Sequence, residues 1–433
     1  MMILAWLRKI LPISIKDILR PLFLRISAIY LPLKYKKEYR HHLVQEDHLR
    51  GVDVYTVAFF AIHASVWKYD YLYKLMEKHP KFDPIIVICP VVNFGFDNML
   101  QVMEECYKRF SNNYNCIKAY DKESHSYIDV REAINPDIIF YTNPYKGLID
   151  DRYYIDRFRD KLTCYVSYNF GNSCLYSMFH NLELHNLVWR LYAETEKHRQ
   201  YSQIYAYNKG INVKVTGYPG IDKFIDKSYK PKNTWKIKDL SLKRIIWAPH
   251  HTFSEDEVVY YSCFLQYHQF MLDLASKYEG KIQLAFKPHP LLRVKLNKYW
   301  GKDRTDKYYA AWANLSNGVL EESDYVDLFI TSDAMIHDCG SFITEYLYTL
   351  KPVMRTDNEI NPSNEFNDFA LECLSLHYHA KSTNDIELFV TNLIDGIDPL
   401  KEQRTSFYEK NLLPPNGRLA SQNIIDDILK SLK

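Results

Sequence analysis

Short, nearly unbroken apolar runs alternate with longer stretches whose apolar residues recur at helical spacing from residue 53 onward. In the first half the runs are DVYTVAFF (53–60), FDPIIVICP (82–90), PDIIFYTNP (136–144), LTCYVSYNF (162–170) and NVKVTGYPG (212–220). SVWKYDYLYKLMEKH (65–79) and FDNMLQVMEECYKRF (96–110) carry the helical pattern. Strands apolar on both faces and separated by helices predict a parallel sheet covered on each side. The alternation pauses over the charged segment 221–242 and restarts with KRIIWAPHH (243–251). A helix over 257–277, the strand KIQLAFKPHP (281–290), helices through 313, the strand DLFITSD (327–333), a helix over 340–350 and the strand KPVMRT (351–356) follow. The pattern therefore predicts an α/β chain of two doubly wound, Rossmann-like domains facing each other across a cleft. Their bounds are 51–220 and 243–415, joined by a linker over 221–242, with a basic arm over 1–50 before them and an amphipathic helix over 416–433 after them.

Length agrees with this division, because 433 residues exceed what one ordinary core holds. An apolar share of 47% and a charged share of 25% are those of a globular protein. A formal net charge of +2 supplies no whole-molecule field for recruiting nucleic acid. The eight cysteines form no CxxC pair and no metal-ligand spacing, which fits free thiols in a reducing cytosol.

Charge is uneven only at the start, where Arg8, Lys9, Lys16, Arg20, Arg25, Lys34, Lys36, Lys37, Arg40 and Arg50 outnumber four acidic residues. Apolar residues recur there at helical spacing, but charges and Pro12, Pro21 and Pro32 break every run well short of the roughly 18–20 residues that span a bilayer. An unbroken apolar centre and a small-residue cleavage site, which a signal peptide needs, are not evident. The expectation is a cationic amphipathic segment, residues 1–40, lying on an anionic membrane surface; the alternative is a helix pair capping the first domain. The matching location is cytoplasmic, at the inner face of the cell membrane.

Candidate chemistry gathers in the second half. Ligands of open α/β sheets sit beyond the carboxyl ends of the strands. The strand ends APHHT, KPHP and TSDAMIHDCGS bring His250, His251, Lys287, His289, Ser332, Asp333, His337 and Asp338 to one rim. Gly340 and Ser341 open the next predicted helix, whose free amides and dipole favour an anion. Glu345, one turn further on, is placed to accept hydrogen bonds from the hydroxyls of a ribose.

HDCGSFITEYLYTLKPVM resembles the donor-binding segment of the CDP-glycerol glycerophosphotransferase family, the membrane-associated teichoic-acid and capsule polymerases. Asp338, Ser341 and Glu345 match that pattern, Gly340 replaces a serine, WAPHHTF is similar to the family's Tyr-Ala-Pro strand end, and KPHP to its basic-x-His phosphate site. The resemblance covers roughly residues 210–356 and implies a GT-B fold with the donor on the C-terminal domain and the acceptor on the N-terminal one. It implies transfer of glycerol phosphate, or a similar alditol phosphate, from a CDP-linked donor to a hydroxyl of a membrane-anchored glycan, with release of CMP. Lys287, His289, Ser332, Asp338, Gly340 and Ser341 are then the donor-phosphate residues, and Glu345 and His250 hold the nucleotide. Neither metal nor cofactor is required, because these groups supply the positive charge.

The family's His-Gly-Thr-Pro segment, whose histidine acts as general base, has its counterpart here in SYNFGNS (167–173), which lacks a histidine. His63, directly after the first strand, is the replacement by position, and His251 is the second catalytic candidate. VTGYPGID, KPHP and DCGSFITEYLYTLKPVMR also resemble UDP-N-acetylglucosamine 2-epimerase, with Arg355 in the matching place. A nucleotide-sugar glycosyltransferase of capsule or lipopolysaccharide synthesis and a non-catalytic GT-B scaffold are the remaining alternatives.

Overall fold

The computed structural model describes residues 13–433 apart from 255, 256, 258, 323, 324 and 361, with side chains from residue 27 onward. Two compact units make up the chain. The first comprises residues 1–168, 176–216 and 422–433, and the second comprises 169–175 and 217–421.

The first unit is built on a seven-stranded sheet. Its strands are β1 (Tyr55–Ala61), β2 (Phe82–Ile88), β3 (Cys116–Lys118), β4 (Ile138–Tyr141), β5 (Leu162–Val166), β6 (Arg190–Ala193) and β7 (Val213–Val215). They lie in the order β3-β2-β1-β4-β5-β6-β7, every pair parallel. β1 and β4 are buried along almost their whole length, as their apolar runs require, and Phe59 stacks on Phe140 with ring centroids 4.9 Å apart.

A single helix, Ile13–Leu49, continues through Pro21 and Pro32, where the prolines had indicated interrupted segments; residues 1–12 of the expected arm lie outside the described residues. Its second half is docked on the first unit. Tyr35, His42 and Glu46 are buried, His42 Nε2 bonds the Leu187 carbonyl at 2.7 Å, and the Trp189 indole donates to Glu46. Arg190, 5% exposed, is held between Glu46 at 3.3 Å and Asp427 at 3.1 Å. No helix among the described residues is long and apolar enough to cross a membrane.

The second unit carries β8 (Lys243–Ala248), β9 (Ile282–Phe286), β10 (Gly318–Leu320), β11 (Ala334–His337), β12 (Val353–Thr356) and β13 (Tyr378–Ala380). The order is β10-β9-β8-β11-β12-β13, again all parallel, so strand order reverses between β8 and β11. Trp247, Phe264, Phe286 and Trp312 stack into its core, with centroids 5.1 to 5.7 Å apart. The segment expected to link the domains instead packs on this unit: Trp235 is buried, its indole donating to Thr331 Oγ1 at 2.9 Å, and Ile237 N–H donates to Gln283 at 2.8 Å.

The stretch expected as the strand 327–333 is a helix, Val326–Thr331, and the strand begins three residues later at Ala334. Ser332 and Asp333 therefore precede β11 and sit at the amino end of the sheet. Ser332 is buried, its hydroxyl bonded to the Phe329 carbonyl and to Tyr346, and Asp333 accepts from Arg244 N–H at 2.8 Å. Ser332 is thus removed from the phosphate rim to which the sequence assigned it.

Candidate active site

The site lies at the strand reversal. Ala248 and His337 are paired residues, so β8 and β11 end level with each other. Past these ends, the loops after β8 and β9 stay zipped together: Lys287 N–H donates to the Trp247 carbonyl at 2.8 Å and His289 N–H to the Pro249 carbonyl at 3.1 Å. Asp338 fixes the loop after β8 from the other side, its buried carboxylate accepting from His250 N–H at 2.5 Å and Cys263 N–H at 2.8 Å. Burial raises the Asp338 carboxyl to about 6. Its acceptor capacity goes into the protein's own amides, so Asp338 positions the rim and does not contact phosphate as the sequence implied.

The result is a cluster of three imidazoles. Ring centroids of His250 and His251 are 4.3 Å apart, those of His251 and His289 4.2 Å, and those of His250 and His289 4.8 Å. His289 N-caps the helix Pro290–Tyr299, its Nδ1 accepting from Leu291 N–H at 3.1 Å. An imidazole that accepts at Nδ1 carries its proton on Nε2. His250 is in the same tautomer, its Nδ1 taking Thr252 N–H at 3.3 Å beside the Thr252 hydroxyl at 2.7 Å. The buried Nδ1 of His251 has no hydrogen-bond partner among the described residues.

Burial first, then neighbouring cations and histidines, lowers His250 to about 2, His251 to about 4 and His289 to about 3. Lys287 is buried beside them, and Lys295, paired with Glu257, adds its charge to the field at all three rings. One nitrogen from each ring lies within 4.8 Å of the others, a spacing that a transition metal could bridge. Nε2–H groups on His250 and His289 favour an anionic oxygen there over a cation.

On the other side of the reversal, Gly340 and Ser341 form the turn before the short helix Phe342–Glu345, which tightens into a 3-10 turn over Tyr346–Thr349. Ser341 already has helical angles (φ −71°, ψ −33°), makes no side-chain cap, and its carbonyl receives Thr344 N–H at 3.3 Å and Glu345 N–H at 3.2 Å. The first-turn amides of such a start have no partner within the helix. A Cβ on Gly340 would come 3.2 Å from the Tyr261 ring, so glycine allows this close approach. Glu345 is buried and accepts from the Tyr325 hydroxyl, a more enclosed position than an open ribose acceptor.

Asn172, which the sequence did not single out, holds this turn. Its Nδ2 donates to the Gly340 carbonyl at 2.8 Å, and its Oδ1 accepts from Thr344 Oγ1 at 2.8 Å. Asn367 ties the same segment in place, donating to the Gly171 carbonyl at 2.6 Å. The only available signal was position: Asn172 lies within SYNFGNS, the counterpart of the segment that carries the family's base. Behind the 260–263 segment is a cavity of about 730 Å³, lined by Tyr260, Cys263, Gln266, Asn358, Glu359 and Glu365 among others. His63 belongs to the first unit, directly beyond β1, where burial lowers its pKa.

A doubly wound unit with a lysine, histidines and a helix start at its strand reversal carries these groups where open α/β sheets bind their ligands. The chain belongs to the CDP-Glycerol:Poly(glycerophosphate) glycerophosphotransferase family, whose pattern matches residues 181–430, more than half of its length. It is a transferase of that type. Among solved structures it is similar to the wall teichoic acid polymerase TagF, at 14% identity and TM-score 0.55 over 95% of this chain and 97% of that one. It is also similar to a UDP-N-acetylglucosamine 2-epimerase from Listeria monocytogenes (14%, TM-score 0.54) and to S. aureus MnaA in complex with UDP (16%, TM-score 0.54), each over 88% of this chain and 97% of that one. At such identities these likenesses show the shared GT-B-like fold. No curated protein matches the sequence.

Proposed function

We propose that this protein transfers glycerol phosphate, or a similar alditol phosphate, from a CDP-linked donor to a hydroxyl of a membrane-associated glycan, releasing CMP, in cell-surface polymer synthesis. What supports the reading is position: Lys287 and His289 follow β9 and Gly340–Ser341 follows β11, at the carboxyl ends of the strands on the two sides of the reversal, within the region that matches the family. TagF, with the same fold, is a wall teichoic acid polymerase.

The acceptor oxygen attacks the distal phosphorus, and the bond from that phosphorus to the bridging oxygen breaks, so CMP departs with the electron pair. Catalysis is mainly positioning and charge neutralisation. Lys287, His289 and the helix start offset charge on the diphosphate, and His250 and Glu345 adjoin the nucleoside. The acceptor proton goes to a histidine. His251 has a buried Nδ1 with no hydrogen-bond partner among the described residues, and His63 is the candidate on the first unit. The helix Ile13–Leu49 supports membrane contact, since Ile29 and Leu33 are 71% and 65% exposed and Lys36, Lys37 and Arg40 are exposed near them.

The test is a ligand panel of CDP-glycerol, UDP-N-acetylglucosamine and CMP-sugars, read by melting temperature and followed by assay of CMP release. A rise with CDP-glycerol alone, and CMP formed on adding acceptor, is the expected result. A rise with UDP-N-acetylglucosamine alone moves the assignment to the epimerase or glycosyltransferase reading, and no response to any nucleotide leaves a scaffold.

A further inference from the structure

On one face of the second sheet three basic side chains stand in a row, because the register pairs His337 of β11 with Arg355 of β12 and Arg355 with His379 of β13. His377 lies against this row, its ring centroid 5.4 Å from that of His337. His337, Arg355 and His377 are 0%, 1% and 3% exposed. Asp357 serves the row, accepting from Arg355 Nη1 at 2.6 Å and pairing with His379 Nδ1 at 2.9 Å. His377 Nδ1 is spent on the Cys373 carbonyl at 2.9 Å.

Five buried nitrogens in this row have no hydrogen-bond partner among the described residues: Nε and Nη2 of Arg355, both ring nitrogens of His337, and Nε2 of His377. The ring of His337 does feel the Cys339 backbone, but without the geometry of a hydrogen bond. Buried polar groups are nearly always satisfied, and an unsatisfied cluster marks a missing water, ion or ligand. The chemistry of these nitrogens narrows the choice. Nε and Nη2 form the side-on edge of a guanidinium, the pair that meets two oxygens of one oxyanion in parallel. Arg355 is permanently charged, and its remaining nitrogen is anchored by Asp357, so this edge is fixed in direction. Asp338 and Glu365 are within electrostatic reach of Arg355, and burial pushes both carboxyls upward.

A line of contacts joins this edge to the phosphate rim. The Arg355 guanidinium lies 5.5 Å from the centre of the Phe366 ring, Phe366 stacks on Tyr261 at 5.3 Å, and Tyr261 covers Gly340. We propose that the Nε–Nη2 edge of Arg355, with His337 beside it, is a second oxyanion site of this unit and takes a phosphoryl group. Two sources share that chemistry: the distal phosphoryl of the nucleotide-linked donor, an assignment that rests on the proposed function, and free inorganic phosphate, which does not.

The experiment is calorimetric titration of the full chain with inorganic phosphate, CMP and CDP-glycerol at constant ionic strength, for the wild type, Arg355→Lys and His337→Asn. Lysine keeps the charge and loses the fork, so phosphate affinity is expected to fall about tenfold or more. If the donor fills the site, CDP-glycerol weakens by a similar factor while CMP, which has no distal phosphoryl, binds as before. If free phosphate fills it, only the phosphate titration changes. Arg355-dependent phosphate binding in a protein that ignores CDP-glycerol keeps this site and removes the proposed donor. Wild-type affinity of Arg355→Lys for all three ligands, or no binding of phosphate or CDP-glycerol by the wild type, overturns the site. Should Arg355→Lys fail to fold by circular dichroism, His337→Asn is read in its place, and unchanged affinities there overturn the proposal equally.

Discussion

His289 caps a helix with Nδ1 and so keeps its proton on Nε2, the atom on which the proposed phosphate contact depends. Substituting alanine removes that donor together with the cap. Donor affinity is expected to drop by about ten- to a hundredfold, since hydrogen bonds to charged groups are worth about 1.5–3 kcal/mol. Titration of His289→Ala with CDP-glycerol checks this, and unchanged affinity removes the residue from the site. The lowered pKa values give the pH dependence its sign. In the unfolded chain these histidines titrate near about 6.5, whereas burial holds the folded values at about 2, 4 and 3 for His250, His251 and His289. Their contribution to stability is complete above the unfolded value and is lost as pH falls toward the folded ones. Asp338, raised to about 6, works in the opposite sense and offsets part of that loss. The melting temperature is therefore expected to fall between pH 7 and 5. With folded values this low the three rings stay neutral from pH 8 to 6, so donor binding is expected to take up no protons at them over that range; calorimetry in two buffers of different ionisation enthalpy measures this.

Elements were legible where burial and pattern agree. The strands β1, β4, β8 and β9 are apolar runs buried as expected, and the alternation gave both doubly wound sheets. The displaced strand shows the other case. Leu328–Ile330 and Ala334–Ile336 are two short apolar runs separated by Thr-Ser-Asp, and period alone does not say which is the strand. The true strand ends on a buried histidine, His337, and that polar residue made it read as part of the loop. This single slip carried Ser332 from the amino end of the sheet to the rim. The rim itself was legible because its histidines and lysine follow recognisable strand ends. Asn172 was not, since its partners are 168 and 172 positions away along the chain. Asn172→Ala leaves Thr344 and the Gly340 carbonyl without that partner and is expected to cost about 1–3 kcal/mol of stability, measured by urea unfolding. The long helix makes its own prediction: protein bound to anionic vesicles is expected to be released when Lys36, Lys37 and Arg40 are changed to glutamine, each basic residue contributing about 1 kcal/mol. Equal sedimentation with neutral vesicles argues against the membrane role.

At the scale of the whole molecule the candidate groups are divided between the two units. His63 belongs to the first, and the imidazole cluster, Lys287, Gly340 and Ser341 to the second. Donor binding and turnover are accordingly separable. His63→Ala is expected to bind CDP-glycerol as the wild type does while losing turnover by at least about a hundredfold, the lower range for a general base. Full turnover removes it and leaves His251 as the proton acceptor.

Neither unit is one continuous length of chain. The first lacks its final helical turns until residues 422–433 are present, and Asp427 among them pairs with the buried Arg190; the second takes residues 169–175 from between β5 and β6. During synthesis, the early half must wait until residues 422–433 have been made before that arginine acquires both of its counter-charges. Cutting the chain between residues 216 and 217 would leave each fragment missing a piece supplied by the other, so dissecting this enzyme calls for a circular rearrangement or co-expression of both fragments.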